Sequence, residues 1–155
     1  MCESYQPLRV KHCHSCDRCI ATFDHHCPWM ANCIGEKNKF FYILFLLFQT
    51  VQVLTIVIDL IVFIAVSDTD NKGSVGILLM VVLLLLIALI GLFVFHFYLI
   101  GINLTTWEFM RWESVEYLAI FDSKLLSSPF SKGFKENILC LWNNTKNEEH
   151  KKWID

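Results

Sequence analysis

The chain has 155 residues, 55% of them hydrophobic, and a mean hydropathy of +0.47, values that exclude an ordinary soluble globular domain. The net charge of −2 comes without a broad basic stretch, which excludes a nucleic-acid-binding protein. Six of the seven cysteines lie within the first 33 residues, and this clustering argues against a secreted disulfide scaffold. Such a cluster is typical of a metal site that faces the reducing cytosol.

The segment from residue 2 to residue 35 is polar and has no sustained hydrophobic period, which predicts a loop-like region. It is too short to bury a core, so we expect metal ions to cross-link it. Zinc takes four Cys and His ligands in a tetrahedron, and C-x2-C turns supply pairs of them. Two sites need eight ligands, which leaves two candidates spare; a reduced cysteine cluster without metal is the alternative. The candidates are Cys2, Cys13, Cys16, Cys19, Cys27, Cys33, His12, His14, His25 and His26.

Two apolar runs follow, at residues 40–66 and 75–102, and a short polar turn at residues 67–74 separates them. Each run exceeds the ~20 residues that cross the hydrocarbon core of a bilayer. The pattern therefore predicts two transmembrane helices.

Two spans place both ends of the chain on the same side of the membrane. Basic residues gather before residue 40 and after residue 110, so residues 1–39, with the cysteine-rich domain at 1–38, and the tail at 103–155 are expected in the cytosol. The 67–74 turn is then luminal or extracellular. The predicted fold class is an α-helical integral membrane protein with two transmembrane helices, a small zinc-binding cysteine-rich domain and a cytosolic helical or irregular tail.

One long motif is specific enough to indicate a family. It reads Cys13-x2-Cys16-x2-Cys19-x4-Asp24-His25-His26-Cys27-Pro28-Trp29-x2-Asn32-Cys33-Ile34-Gly35-x2-Asn38. This motif resembles the cysteine-rich domain of the DHHC protein S-acyltransferases, or palmitoyltransferases. Thr105-Thr106-Trp107-Glu108 resembles the TTxE motif of that family, and residues 134–141, with Asn137, loosely resemble its C-terminal segment. The resemblance implies two further spans before the cysteine-rich domain, so we expect an N-terminally truncated member.

The resemblance also implies two interleaved zinc sites, each with three cysteines and one histidine. One set is complete and consists of Cys13, Cys16, His26 and Cys33. The other consists of Cys2, His12, Cys19 and a cysteine three residues before Cys2, a position that lies off the start of the chain. His14 or Glu3 could substitute for it, although neither matches the pattern. We expect one zinc ion per chain if the incomplete set cannot hold metal.

The resemblance leaves Asp24, His25 and Cys27 outside both zinc sites and implies that Cys27 is the nucleophile. A thiolate attacks a thioester readily, which agrees with that role. We expect His25 to serve as general base and Asp24 to hold its imidazole in the right tautomer. Zinc is expected to fix the loop so that Cys27 points at the bilayer. The alternative is that Cys27 and His25 are further zinc ligands.

The implied activity is protein-cysteine S-palmitoyl transfer in two steps. Cys27 takes a fatty acyl chain from palmitoyl-CoA, and a cysteine of a substrate protein then takes the chain from acyl-Cys27. The expected partners are acyl-CoA, membrane lipid and proteins with membrane-proximal cysteines, with no nucleic acid. The expected location is an endomembrane, the Golgi or the endoplasmic reticulum. The alternative function is a catalytically silent, zinc-stabilised membrane module that binds or regulates partners.

Several polar residues carry separate expectations. Asp59 is expected to be hydrated near the luminal end of the first span, and His96 to bond across to that span or face the headgroups. Thr105-Thr106-x-Glu108 is expected to cap a helix and bond back to the catalytic loop. Basic residues near the interface either meet the phosphates of CoA or simply set the topology; they are Arg9, Lys11, Arg18, Lys37 and Lys39.

Overall fold

The computed structural model describes residues 7–68, 71–121 and 128–146. Their contacts divide into two compact units, one formed by Met1–Tyr42 with His96–Asp155 and the other by Ile43–Phe95. Two short 3-10 helices lie at Pro28–Met30 and Trp112–Ser114. The strands are β1 (Lys11–Cys13), β2 (Arg18–Ile20), β3 (His25–Cys27) and β4 (Asn32–Ile34), and the α-helices are α1 (Lys39–Val66), α2 (Lys72–Gly101), α3 (Thr106–Met110), α4 (Glu116–Ala119) and α5 (Phe134–Lys146).

The prediction of a loop-like region before the first span is wrong for the residues that the structure describes there. Residues 7–38, which we call the hairpin region, contain two antiparallel hairpins, β1 with β2 and β3 with β4. Strands of three residues are too short to produce a visible alternation of apolar and polar side chains. The sequence pattern therefore could not reveal them.

Gly35 and Asn38 are part of the turn that leads from β4 into α1. The Asn38 side chain accepts a hydrogen bond from the Gly35 N–H at 2.8 Å and donates one to the Cys33 carbonyl at 2.8 Å. A Cβ atom on Gly35 would lie 2.6 Å from Ile20 Cγ2 and 2.8 Å from the Ala21 carbonyl oxygen. Only glycine allows this approach, which brings the end of β4 against the end of β2.

Helices α1 and α2 are long and apolar enough to cross a membrane, with 28 and 30 residues. Only 22% and 6% of their most apolar 18-residue windows are buried, whereas the core helix of a soluble protein would be mostly buried. The observed α1 begins at Lys39, one residue before the predicted span. The observed α2 covers Lys72–Gly101, against a predicted 75–102.

Each unit has its own packing. In the second unit Val53 and Val57, one turn apart on α1, form a small core with Leu86 of α2. Asp59 on the same helix has an exposed side chain. In the first unit, Phe134 at the start of α5 approaches Gly101, where an added Cβ would lie 3.1 Å from its ring.

The described part of the tail is held by polar side chains. Thr105 caps α3 by accepting from the Glu108 N–H, while the Glu108 carboxylate accepts from the Thr105 N–H, which completes a capping box. Asn137 of α5 is buried and donates to the Gly101 carbonyl at 2.7 Å. These bonds hold the start of α3 and α5 beside the end of α2.

Candidate active site and metal centre

Strand β3 separates two groups of side chains. Successive side chains of a strand point to opposite faces, so His25 and Cys27 share one face and His26 lies on the other. His26 stands directly opposite Cys33 of β4 in the hairpin register. Three consecutive residues can therefore serve two different sites.

The first predicted zinc set comes together in the structure, in a group that we call the metal cluster. The four candidate ligand atoms of Cys13, Cys16, His26 and Cys33 all lie within 4.8 Å of one another. His26 Nδ1 lies 3.7, 3.4 and 3.6 Å from the sulfurs of Cys13, Cys16 and Cys33. Ligands of tetrahedral zinc, with bonds of ~2.0–2.3 Å, stand about 3.5 Å apart, so this donor set could bind zinc. Among the described residues, Cys27 is not part of the metal cluster.

The second predicted zinc set is only partly within the described residues. His12 of β1 lies opposite Cys19 of β2, and His12 Nδ1 is 3.9 Å from Cys19 Sγ. Cys19 is disulfide-bonded in the structure, so its sulfur is not the thiolate ligand that the second set requires. Cys2 and Glu3 lie outside the described residues. His14 is exposed, with its ring 5.1 Å from that of His12. The neighbouring residues His12 and Cys13 of β1 point to opposite faces of the strand, as His25 and His26 do on β3. His12 therefore faces the second predicted set, and Cys13 faces the metal cluster.

Asp24 lies at the centre of a buried polar network. Its Oδ1 accepts from Lys39 Nζ at 2.6 Å and from the Thr106 N–H at 3.1 Å. Its Oδ2 accepts from Thr106 Oγ1 at 2.6 Å and faces His25 Nδ1 at 2.8 Å. Burial by itself would raise the pKa of Asp24, but the Lys39 charge and then the hydrogen bonds from His25, Lys39 and Thr106 hold that pKa well below its usual range. Asp24 is therefore a carboxylate.

This carboxylate determines the tautomer of His25. A carboxylate only accepts hydrogen bonds, so the proton of the neutral imidazole is on Nδ1, and Nε2 keeps a lone pair. The His25 ring also packs edge-on against Tyr42, with centroids 5.2 Å apart. His25 is thus oriented on the side of β3 that also carries Cys27, whose side chain is 4% exposed.

The comparison with known proteins identifies the family of the chain. The sequence family described as DHHC palmitoyltransferase matches residues 1–113. The chain belongs to this family. The family membership that the motif predicts is confirmed. The four letters of the family name correspond to Asp24, His25, His26 and Cys27 in this chain.

Individual relatives carry the same kind of name. Palmitoyltransferase ZDHHC18 of Rattus norvegicus is 38% identical over 123 residues, 73% of this chain and 32% of the relative. Probable protein S-acyltransferase 1 of Arabidopsis thaliana is 36% identical over 146 residues, 88% of this chain and 39% of the relative. Protein S-acyltransferase 10 of the same plant is 37% identical over 140 residues, 88% of this chain and 40% of the relative. The chain spans about two-fifths or less of the length of these relatives.

Family membership confirms the predicted fold class. The DHHC chain is a mainly helical membrane protein with two candidate spans and a Cys/His cluster compatible with zinc. The role expected for the Thr105 to Glu108 stretch is also confirmed. Its residues form a capping box, and Thr106 bonds back to Asp24, beside Cys27 in sequence.

Two residues of the DHHC site were missed by the sequence interpretation. Lys39, considered only as a CoA or topology charge, is 6% exposed and pairs with Asp24. His96, expected to bond to the first span or face the headgroups, is buried beside Asp24 and His25. The only sequence signals were a lysine at the start of an apolar helix and a histidine inside one.

Three of the four other basic residues considered for CoA binding also have partners within the chain. Arg9 holds Glu108 through two hydrogen bonds of 2.7 and 2.8 Å and lies over the Phe130 ring. Lys11 lies over the Trp107 ring at 4.3 Å. Arg18 bonds Asn32 at 2.6 Å, and Lys37 has an exposed side chain. Arg9 and Lys39 are therefore structural cations.

Proposed function

We propose that the chain carries the catalytic centre of a protein-cysteine S-palmitoyltransferase, with Cys27 as the acyl-carrying nucleophile. One observation supports this most: β3 directs His26 to the metal cluster while His25, oriented by Asp24, shares the opposite face with Cys27. A thiol, a base with a free lone pair and a carboxylate that fixes the base are the parts that acyl transfer needs.

The first half-reaction acylates the protein. His25 Nε2 takes the proton of the Cys27 thiol, and the thiolate attacks the carbonyl carbon of palmitoyl-CoA. A carbon–sulfur bond to Cys27 forms, the bond to CoA breaks, and the leaving CoA sulfur receives the proton from His25. The products are acyl-Cys27 and free CoA.

The second half-reaction repeats the chemistry with a protein thiol. His25 takes the proton of a membrane-proximal cysteine on the substrate protein, and its thiolate attacks the acyl-Cys27 thioester. The acyl chain moves to the substrate, and the proton returns to Cys27. Asp24 stays ionised throughout and stabilises the imidazolium that His25 becomes.

Zinc has a structural role in this proposal. Cys13, Cys16, His26 and Cys33 would hold one ion, and such sites stabilise segments that have no core of their own. His12 and Cys19, with Cys2, would contribute to a second site once the disulfide at Cys19 is reduced to the thiolate that zinc requires. The ion takes no part in the transfer, since β3 directs Cys27 away from His26.

The membrane determines which thiols are acylated. Trp29, directly after Cys27 and Pro28, is 93% exposed and offers an apolar surface beside the nucleophile. Palmitoyl chains are insoluble in water, with each buried methylene worth ~0.8 kcal/mol, so a bilayer is where donor and substrate meet. The proposal keeps the hairpin region and both ends of the chain in the cytosol and the protein in Golgi or endoplasmic reticulum membranes.

The test uses the purified chain in detergent with labelled palmitoyl-CoA. We expect a hydroxylamine-labile label that Cys27→Ser abolishes and that the matched variant Cys140→Ser retains. Replacing His25 by Ala should slow labelling about 10²–10⁴-fold, the usual contribution of a general base. A folded, zinc-loaded sample that takes no label would overturn the proposal in favour of the silent membrane module.

A further inference from the structure

His96 of α2 lies against the Asp24 network without being part of the predicted catalytic set. Its side chain is 4% exposed, and its Nε2 atom lies 3.5 Å from Thr106 Oγ1 and 3.9 Å from Asp24 Oδ2. Its ring lies 5.6 Å from that of His25 and 5.1 Å from that of Tyr42. His96 therefore lies beside both His25, the proposed base, and Asp24, the carboxylate that orients His25.

The protons available on His96 and Thr106 determine which of them donates the hydrogen bond between them. The Thr106 hydroxyl has a single proton, and it donates that proton to Asp24 Oδ2 at 2.6 Å. Thr106 Oγ1 can therefore only accept from His96, and Nε2 must carry the hydrogen. The resulting chain of hydrogen bonds runs from His96 through Thr106 to Asp24, which also accepts from His25.

A metal ion held by Asp24, His25 and His96 is a less suitable interpretation, although their ligand atoms lie within 4.8 Å of one another. The Asp24 carboxylate already accepts four hydrogen bonds, about the number of its lone-pair sites. The Lys39 ammonium, 2.6 Å from Oδ1, would also stand beside the incoming cation. Hydrogen bonding explains the three side chains better.

We propose that His96 is a positioning residue of the acyl-transfer site, which donates through Nε2 to Thr106 and thereby holds Asp24 and His25 in the orientation that activates Cys27. The inference rests on the proposed function for its catalytic consequence. Its structural content, an oriented base beside a thiol, also affects Cys27 chemistry that needs no acyl-CoA.

The experiment compares variants of the full chain. His96→Phe keeps an aromatic ring but removes the donor, whereas His96→Gln keeps an N–H donor. Val94→Ala, at an exposed position of the same helix, is the matched control. Each protein is assayed for the rate of Cys27 alkylation by iodoacetamide at one pH, followed by peptide mapping, and for the rate constant and KM of labelling by palmitoyl-CoA. Zinc content and thermal stability are measured on the same samples.

Loss of one hydrogen bond should make His96→Phe about fivefold slower in both alkylation and labelling, with KM unchanged. His96→Gln should stay within about twofold of the unchanged chain, as should Val94→Ala. His96→Leu, which cannot overfill the site, replaces the Phe variant if that protein loses its zinc. Thr106→Val should also be slow, and adding His96→Phe to it should cause no further loss, because His96 acts through Thr106.

Three results would overturn the inference. They are alkylation of His96→Phe at the original rate, equal slowing by His96→Gln, and a fall in zinc content or thermal stability that parallels the rates in both His96→Phe and His96→Leu. The two proposals fail separately. If the unchanged chain takes no palmitoyl label but His96→Phe is alkylated slowly, the acyltransferase proposal is refuted and the positioning role of His96 stands. If the unchanged chain is labelled but His96→Phe is alkylated at the normal rate, the positioning role is refuted and the acyltransferase proposal stands.

Discussion

Replacing Lys39 by Met removes one partner of a buried ion pair and leaves the other in place. Asp24 and Lys39 are both almost fully buried, with Nζ and Oδ1 2.6 Å apart, and Lys39 also donates to the Leu104 carbonyl at 2.9 Å. Water cannot replace the ammonium at so buried a carboxylate. Removing one member of a buried pair costs about 3–5 kcal/mol, a large part of the ~5–15 kcal/mol that stabilises a typical domain.

We therefore expect Lys39→Met to lower the free energy of unfolding by about 3 kcal/mol or more, and to slow acyl transfer because Asp24 no longer holds a fixed orientation. The measurement is a denaturation curve in detergent, in which unfolding is monitored by the zinc that is released to a coloured chelator. Lys37→Met is the control, since it removes the same charge two residues away at an exposed position.

A double variant separates an unpaired charge from a general loss of packing. Asp24→Asn with Lys39→Met removes both charges, so it should be more stable than Lys39→Met alone. The reasoning is refuted if Lys39→Met is as stable as Lys37→Met, or if the two substitutions of the pair simply add.

Three further changes have expected outcomes. Arg9→Lys breaks the bidentate ion pair with Glu108 and should lower the free energy of unfolding by about 1–2 kcal/mol, seen as a lower melting temperature. A change close to zero would show that the ion pair behaves like an exposed surface pair and would contradict this prediction. Gly35→Ala forces a Cβ to 2.6 Å from a side chain and 2.8 Å from a carbonyl and should cost about 1–3 kcal/mol in denaturation, with Gly73→Ala, where nothing lies within 4 Å, near neutral. Cys16→Ser should lower the zinc count by one ion per chain in elemental analysis, and an unchanged count would remove the metal cluster from consideration.

The two long apolar helices and the proximity of Cys13 and Cys16 could be predicted from sequence because both signals are local. A long apolar run identifies a span by itself, and C-x2-C spacing brings Cys13 and Cys16 together whatever the rest of the chain does. The family resemblance then assigned His26 and Cys33 to the same set. The structure brings these four residues within ligand distance of one another.

The parts that could not be predicted depend on contacts between distant residues. Lys39 is separated from Asp24 by 15 positions and Thr106 from Asp24 by 82, so no sequence period connects them. His96 lies in an apolar helix where a histidine is compatible with several environments. The hairpins could not be predicted for another reason. Strands of three residues are too short to show an alternation of apolar and polar side chains.

Asp24 explains why the site needs so much of the chain. The carboxylate follows β2 and is held by the first residue of α1, by the first residue of α3 and, through Thr106, by His96 near the end of α2. Its backbone joins β4 and α3, since its N–H donates to the Ile34 carbonyl and its own carbonyl accepts from the Trp107 N–H. Residues of the metal cluster connect the two hairpins, whereas the proposed catalytic face depends on Asp24 and on the helix ends that hold it. On this three-residue strand, β3, His26 contributes to the metal cluster, while His25 and Cys27 lie on the opposite face.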